Sequence, residues 1–252
     1  MRPWDDQIAV VTGARGSIGS AIVEHLRSLG ARVSGSDLPQ SGAAAPDTLP
    51  AVDVTVPASI EAWLEDVEHA IGNPTVGVIC AGITRPGRLV DLSDADWTDV
   101  LDVNLTGAFY AARAIIRRML ASNTAGRIVF VGSWAAHAPH PHIGAYSASK
   151  AGLRALCQTL ALDHAAEGIL VNEVAPGIVD AGLSRELFRR DPDLEKRTRA
   201  AIPSGRIIHP DDVARDVAFL ASAENRHTTG TVLVSDGGLS LASAMNPATA
   251  TR

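Results

Sequence analysis

The chain has 252 residues, 46% hydrophobic and 20% charged, which is ordinary soluble globular usage with enough apolar material for a sizeable core. Its formal net charge of −6 argues against a protein that lives on nucleic acid or an anionic membrane surface, and points to small-molecule partners. Cys80 and Cys157 lie in apolar surroundings as free thiols, no apolar run approaches the ~18 residues of a membrane span, and Met1-Arg-Pro-Trp lacks the apolar core of a signal peptide, so a cytoplasmic place is expected.

The apolar run 8–12 ends in Gly13-Ala-Arg-Gly16-Ser-Ile-Gly19, and Ala21, Ile22, Leu26 and Leu29 follow at helical spacing; this reads as strand, glycine turn, helix. Such a turn lets backbone approach a pyrophosphate closely, with the amides of a helix N-terminus supplying complementary partial charge. A second strand, 31–36, ends in Asp37, where a carboxylate accepts hydrogen bonds from a ribose 2′-hydroxyl and repels a 2′-phosphate. Arg15 in the turn pulls the other way, toward NADP; contact range favours Asp37 and hence NAD.

Residues 38–50 read as a surface loop, 52–54 as a short third strand, and 57–72 as a helix opened by Pro57 and closed by Gly72. Strand 76–80 runs into Ala81-Gly82, and a long helix from 93 to about 122 is interrupted near its middle by Val-Asn104-Leu-Thr-Gly. Strand 127–132 delivers Ser133 at its C-terminal end, where open α/β sheets bind ligands. After loop 134–145 come a helix from about 146 to 166 and strand 169–175, broken by Pro176-Gly177. A charged helical segment within 180–205, the last helix from Pro210, the last strand 232–235, a turn at Asp236-Gly-Gly and a frayed tail from about 242 complete the chain. The alternation predicts one domain over 1–252, a doubly wound, Rossmann-type parallel sheet with helices on both faces.

The chemistry concentrates at Tyr146-Ser-Ala-Ser-Lys150, with Ser133 upstream. Residues four apart on a helix share a face, and a fixed ammonium brings a phenol that titrates near ~10 into the range useful for proton transfer. A hydroxyl such as Ser133 can then hold the substrate oxygen while the tyrosine moves the proton. His137, His140 and His142 are separated by prolines without an acidic partner, so no metal is expected there. They read instead, with Trp134, as a pocket wall whose polar ring edges suit several substrate hydroxyls.

These residues, in order and spacing, resemble the short-chain dehydrogenases/reductases over nearly everything from 7 to about 240. Thr12-Gly13 through Gly19 look like the cofactor turn, Asp53-Val54 like the adenine contact and Ala81-Gly82 like the end of the Asn-Asn-Ala-Gly motif. Asn104, Ser133, Tyr146 and Lys150 look like the catalytic tetrad, and Pro176-Gly177 like the nicotinamide-side turn. The resemblance implies that Tyr146 is the general acid/base and Ser133 positions the substrate oxygen. It also implies that Lys150 acts on the tyrosine and the nicotinamide ribose, and that Asn104 helps fix a proton-relaying water. Arg15, Ser17, Ile18 and Val179 are expected among the cofactor contacts, 180–205 as a substrate-side lid, and a homotetramer as the assembly. Ser17 stands where the family has glycine, Ile79-Cys80 where it has two asparagines, and Ala181 where a threonine often contacts the carboxamide. The function expected is NAD-dependent oxidation of a secondary alcohol, a small polyol or sugar, with NADP possible. The alternatives are a 3-oxoacyl-(acyl carrier) reductase, expected to use NADPH, and a non-catalytic NAD sensor.

Overall fold

The computed structural model describes residues 4–39 and 49–245. Six parallel strands form one sheet in the order β2-β1-β3-β4-β5-β6. They are β1 (Ile8–Thr12), β2 (Arg32–Ser36), β3 (Val76–Ile79), β4 (Arg127–Val131), β5 (Leu170–Pro176) and β6 (Val232–Ser235). The helices are α1 (Ser17–Leu29), α2 (Pro57–Ile71), α3 (Asp94–Leu101), α4 (Ala108–Ala121), α5 (Gly144–His164), α6 (Gly182–Arg190), α7 (Pro192–Ala201), α8 (Pro210–Ala221) and α9 (Leu239–Met245).

The strands are apolar on both sides because helices cover both faces, and successive side chains alternate between two cores. Ala9 and Val11 of β1 join α1 and α8, whereas Ile8 and Val10 join α2, α4 and α5. Phe130 of β4, fully buried in the second core, is the kind of side chain whose truncation to alanine costs roughly 3–5 kcal/mol.

Strand order reverses between β1 and β3, and the carboxyl ends of β1, β3, β4 and β5 open a cleft at that switch point. Three expectations need correction. No strand forms at 52–54; a single bridge between Asp37 and Ala51 stands there, because the backbone leaves the sheet to begin α2. Pro210 does not open the last helix, since α9 follows β6, its start capped by Asp236, which accepts from Ser240 N at 2.8 Å. The segment 180–205 holds two helices, broken where Asp191 caps Pro192 and accepts from Leu194 N. The tail beyond 245 and residues 40–48 of the predicted loop lie outside the described residues. The interruption of the long helix is real: a π-helical turn, Asp102–Gly107, separates α3 from α4.

Candidate active site

The turn after β1 is shaped by contacts that admit no side chain. Gly13 has φ +71°, and a Cβ there would come within 2.8 Å of the Ala81 backbone; one on Gly19 would overlap the Gly13 carbonyl oxygen. Position 17 needs no glycine, because α1 begins there, with Gly16 as an extended N-cap. No side chain caps α1 and no acidic residue lies in its first turn, so its amides are left for an anion.

At the end of β2 the Asp37 carboxylate is fixed by two amides, accepting from Arg15 N on Oδ2 and from Leu38 N on Oδ1, each at 2.8 Å. Arg15 turns its Nε to the Leu38 carbonyl, also at 2.8 Å. Asp53 accepts from Thr55 N and Thr55 Oγ1 on Oδ1 alone. The amides missing from Ile79-Cys80 are replaced by Thr12, whose buried Oγ1 accepts from Cys80 N at 3.1 Å and Ala81 N at 3.2 Å, tying β1 to β3. Cys80 is half-buried in the cleft wall, and burial pushes its thiol up to about 12, partly countered by Lys150, so it stays neutral.

Deeper in, Asn104 is buried, and its amide is spent on protein. Oδ1 accepts from Ile83 N at 2.8 Å, and Nδ2 donates to Ile83 O at 2.9 Å and Ser149 Oγ at 3.0 Å. Ser149 Oγ donates in turn to the Tyr146 carbonyl at 2.7 Å, so the π-helical turn grips α5 beside the tyrosine. Lys150, also buried, donates to Val131 O at 2.8 Å, with Nζ 5.6 Å from the Tyr146 ring centroid. Ser133 leaves β4 in extended conformation, and its Oγ accepts from Ala135 N at 3.1 Å. With an acceptor site occupied, the hydroxyl proton is available to donate to a substrate oxygen.

One cleft of about 700 Å³ gathers these groups. Gly13, Arg15, Ser17, Ile18, Gly19 and Asp37 line one end, and Asp53, Val54, Ala81 and Gly82 the middle. Ser133, Tyr146, Lys150, Pro176, Gly177 and Val179 line the other end. Asn104 stands one layer behind. The lining that runs from the turn after β1 to the turn after β5, the unclaimed helix amides and the fixed Asp37 carboxylate fit a nicotinamide dinucleotide. Sequence reasoning missed Leu38, Ile83, Val103 and Val131, and reached Gly182 and Ser184 only as part of the segment 180–205. Leu38 and Ile83 directly follow recognised motifs, which was their only signal.

The predicted ring wall is not there. None of Trp134, His137, His140 and His142 lines the cleft. Trp134 packs with Phe188, Ile202, Ile207 and Leu239 and meets His140 edge-on at 5.9 Å. His142 sits at φ +66°, its carbonyl accepting from Gly87 N, while His137 turns to Arg154. Among the described residues no group of three or more His, Cys, Asp or Glu side chains is placed to hold a metal, and no helix is long and apolar enough to cross a membrane.

The comparisons with known proteins agree with this geometry. A family model described as enoyl-(acyl carrier protein) reductase matches residues 13–240. The 3-oxoacyl-(acyl-carrier-protein) reductase FabG of Escherichia coli (strain K12) is 37% identical over 243 residues, covering 94% of this chain and 98% of the relative. FabG of Vibrio cholerae is 36% identical, covering 93% and 98%. The solved structure titled "Crystal structure of gox2181" superposes with a TM-score of 0.88 at 33% identity, covering 95% of this chain and 98% of the other. The cleft and these likenesses together identify the chain as a member of the short-chain dehydrogenase/reductase family, an NAD(P)-dependent oxidoreductase that interconverts a hydroxyl and a carbonyl.

Proposed function

We propose that the protein interconverts a 3-oxoacyl thioester and its 3-hydroxyacyl counterpart, with NAD(H) as the preferred cofactor. The observation that carries the substrate class is the likeness, over nearly the full length of both chains, to relatives named 3-oxoacyl-(acyl-carrier-protein) reductase. The polyol or sugar reading rested on the rings after Ser133, and those rings do not line the cleft. What lines the substrate end beside Ser133 and Tyr146 is Ile83, Ala181, Gly182 and Ser184, small or apolar surface suited to an acyl chain more than to a row of hydroxyls.

In this reading the bound nicotinamide supplies or accepts the hydride. Ser133 donates a hydrogen bond to the substrate oxygen, and Tyr146 gives that oxygen its proton in reduction and takes it back in oxidation. Lys150 places positive charge beside the phenol, and Asn104 holds Ser149 and through it α5. The NAD preference comes from Asp37: a carboxylate fixed by two amides accepts from a 2′-hydroxyl and repels a 2′-phosphate, while Arg15 is drawn toward the Leu38 carbonyl. A carrier-bound reductase would be expected to use NADPH, and here the carboxylate argues otherwise. We also propose α6 and α7 as the substrate-side lid, and a homo-oligomer as the assembly. Phe219, Val234 and Leu241, on elements at the β6 side of the sheet, are exposed apolar side chains that a second copy would cover.

The test is kcat/KM for acetoacetyl thioesters with NADH and NADPH, beside polyols and aldoses with NAD and NADP. Thioester reduction at least about tenfold faster than any polyol oxidation, with NADH ahead, is the expected result. A polyol ahead by that margin overturns the substrate class, and NADPH ahead overturns the cofactor preference.

A further inference from the structure

Behind Ser133 lies a set of charges that the reaction does not touch. Glu173, in the middle of β5, is fully buried. Arg154 of α5, one turn beyond Lys150, meets it with two donors, Nε to Oε2 and Nη2 to Oε1, both at 3.2 Å. The same guanidinium reaches the loop after β4, with Nη1 2.8 Å from His137 Nδ1. Arginine only donates, so Nδ1 is the acceptor and the ring proton sits on Nε2. The carboxylate of Glu173 also presses against Gly132, where any Cβ would overlap Oε1.

Ser133 is therefore flanked on both sides by one ion pair: Gly132 lies on Glu173, and His137 is bonded to Arg154. A buried ion pair contributes little net stability compared with apolar side chains of similar volume, so the sheet alone gives no reason for it. We propose that Arg154, braced by Glu173 and bonded to His137, is a positioning residue that sets the Ser133 hydroxyl against the substrate oxygen. The inference rests on the reading of Ser133 and Tyr146 as the reacting pair.

The arrangement is sensitive to acid. The charged groups facing His137 are Arg154 from α5, Glu173 from β5 and Asp236 from the turn after β6. Burial, then Arg154, holds the imidazole below its ordinary 6.5 against the opposing pull of Glu173 and Asp236. Once protonated, the ring cannot accept from Arg154 and repels it, so the loop end of the clamp opens at acid pH.

Replacing Arg154 or Glu173 risks the fold, whereas His137 is exposed and its variants should fold. The experiment compares wild type, His137→Ala, His137→Asn, Ser133→Ala and the double variant His137→Ala/Ser133→Ala, on whichever substrate of the panel above the wild type turns over fastest. His137→Ala is expected to lower kcat about tenfold, with the cofactor KM held within about twofold and Tm unchanged, because a small misplacement of a catalytic group is felt in the rate. His137→Asn keeps an acceptor near Nδ1 that does not titrate; it should recover kcat to within about threefold and lose the acid limb attributable to His137. In the Ser133→Ala background, His137→Ala should add nothing, since residues acting as a unit are not additive. Wild-type kcat in His137→Ala, or the same loss in both backgrounds, overturns the clamp. Wild-type activity in Ser133→Ala overturns instead the assignment of the reacting pair.

Discussion

The two ends of the cleft are built by opposite means. At the pyrophosphate end backbone meets backbone: Gly13 lies against Ala81, Gly19 against Gly13, and the Asp37 carboxylate is locked by amides. At the substrate end α6 and α7 are attached by a small apolar cluster, Phe188, Leu194 and Ile202 against Trp134, Ile207 and Leu239, and carry exposed ion pairs within the segment, Arg185 with Asp180, Arg190 with Glu186, Arg197 with Asp191 and Arg199 with Glu195. Contacts of the first kind tolerate no substitution, whereas surface pairs contribute about 0–1 kcal/mol each and many charge patterns serve equally. A fold assembled this way keeps its cofactor geometry while its substrate end is free to change.

Tyr146 stands where the two ends meet, and its loss should be the largest effect. Tyr146→Phe is expected to cut kcat by about 10² to 10⁴ while leaving cofactor affinity within about threefold, because the ring still packs and only the proton-carrying oxygen is gone. Steady-state rates and a fluorescence titration check it, and activity within about tenfold of wild type would remove Tyr146 from the chemistry. Next comes the rigid end. Gly19→Val should abolish measurable cofactor binding and cost about 1–3 kcal/mol or more of stability, since its side chain has to displace the Gly13 carbonyl. Calorimetric titration and a denaturation curve report the two, and a variant that binds NAD normally would show that this turn yields after all.

Asp37→Ala sharpens the comparison within the rigid end. Losing hydrogen bonds to a charged group, worth roughly 1.5–3 kcal/mol, should weaken NADH by about ten- to a hundredfold and narrow the gap to NADPH. An unchanged ratio of the two kcat/KM values would mean the carboxylate does not read the ribose. The smallest effect belongs to α7: Arg199→Gln, which breaks the pair with Glu195, should shift stability by no more than about 0.5 kcal/mol. Thermal unfolding decides this, and a drop of several degrees would show that this segment is as rigid as the turn.

The same contrast explains what could be read in advance. A turn that excludes side chains leaves glycines in the chain, and β1 and α1 around it announce themselves by period, so Gly13, Gly19 and Asp37 were legible. The interruption at Asn104 was visible as poor helix formers inside a helical run, although not its π-helical form. The loop after Ser133 was not legible. Pro139 and Pro141 erase any period, and where its rings point depends on Arg154 and on Trp134 packing against Phe188 and Leu239, partners far away in sequence. Helix α9 was missed because Leu-Ser-Leu-Ala-Ser-Ala-Met has the small-residue look of a tail, while its cap is an aspartate that also reads as a turn former. Val52 is buried yet forms no strand, showing that burial and β-branching do not suffice where no neighbour offers a ladder.

The π-helical turn between α3 and α4 sets the rotational phase of one helix against the other. One residue of an α-helix spans about 100°, so removing a single position between 102 and 107 would let α3 and α4 merge with ordinary geometry while rotating everything on one side by that angle. Backbone hydrogen bonding would be, if anything, more regular. Asn104 would swing away from Ile83 and Ser149, and the hydrogen-bonded link from this helix through Ser149 to the Tyr146 carbonyl would be cut. A reading-frame-preserving loss of one codon here would thus cost turnover and stability together, because the same rotation sets α3 or the buried face of α4, with Ala111, Ile115 and Met119, out of register with the core.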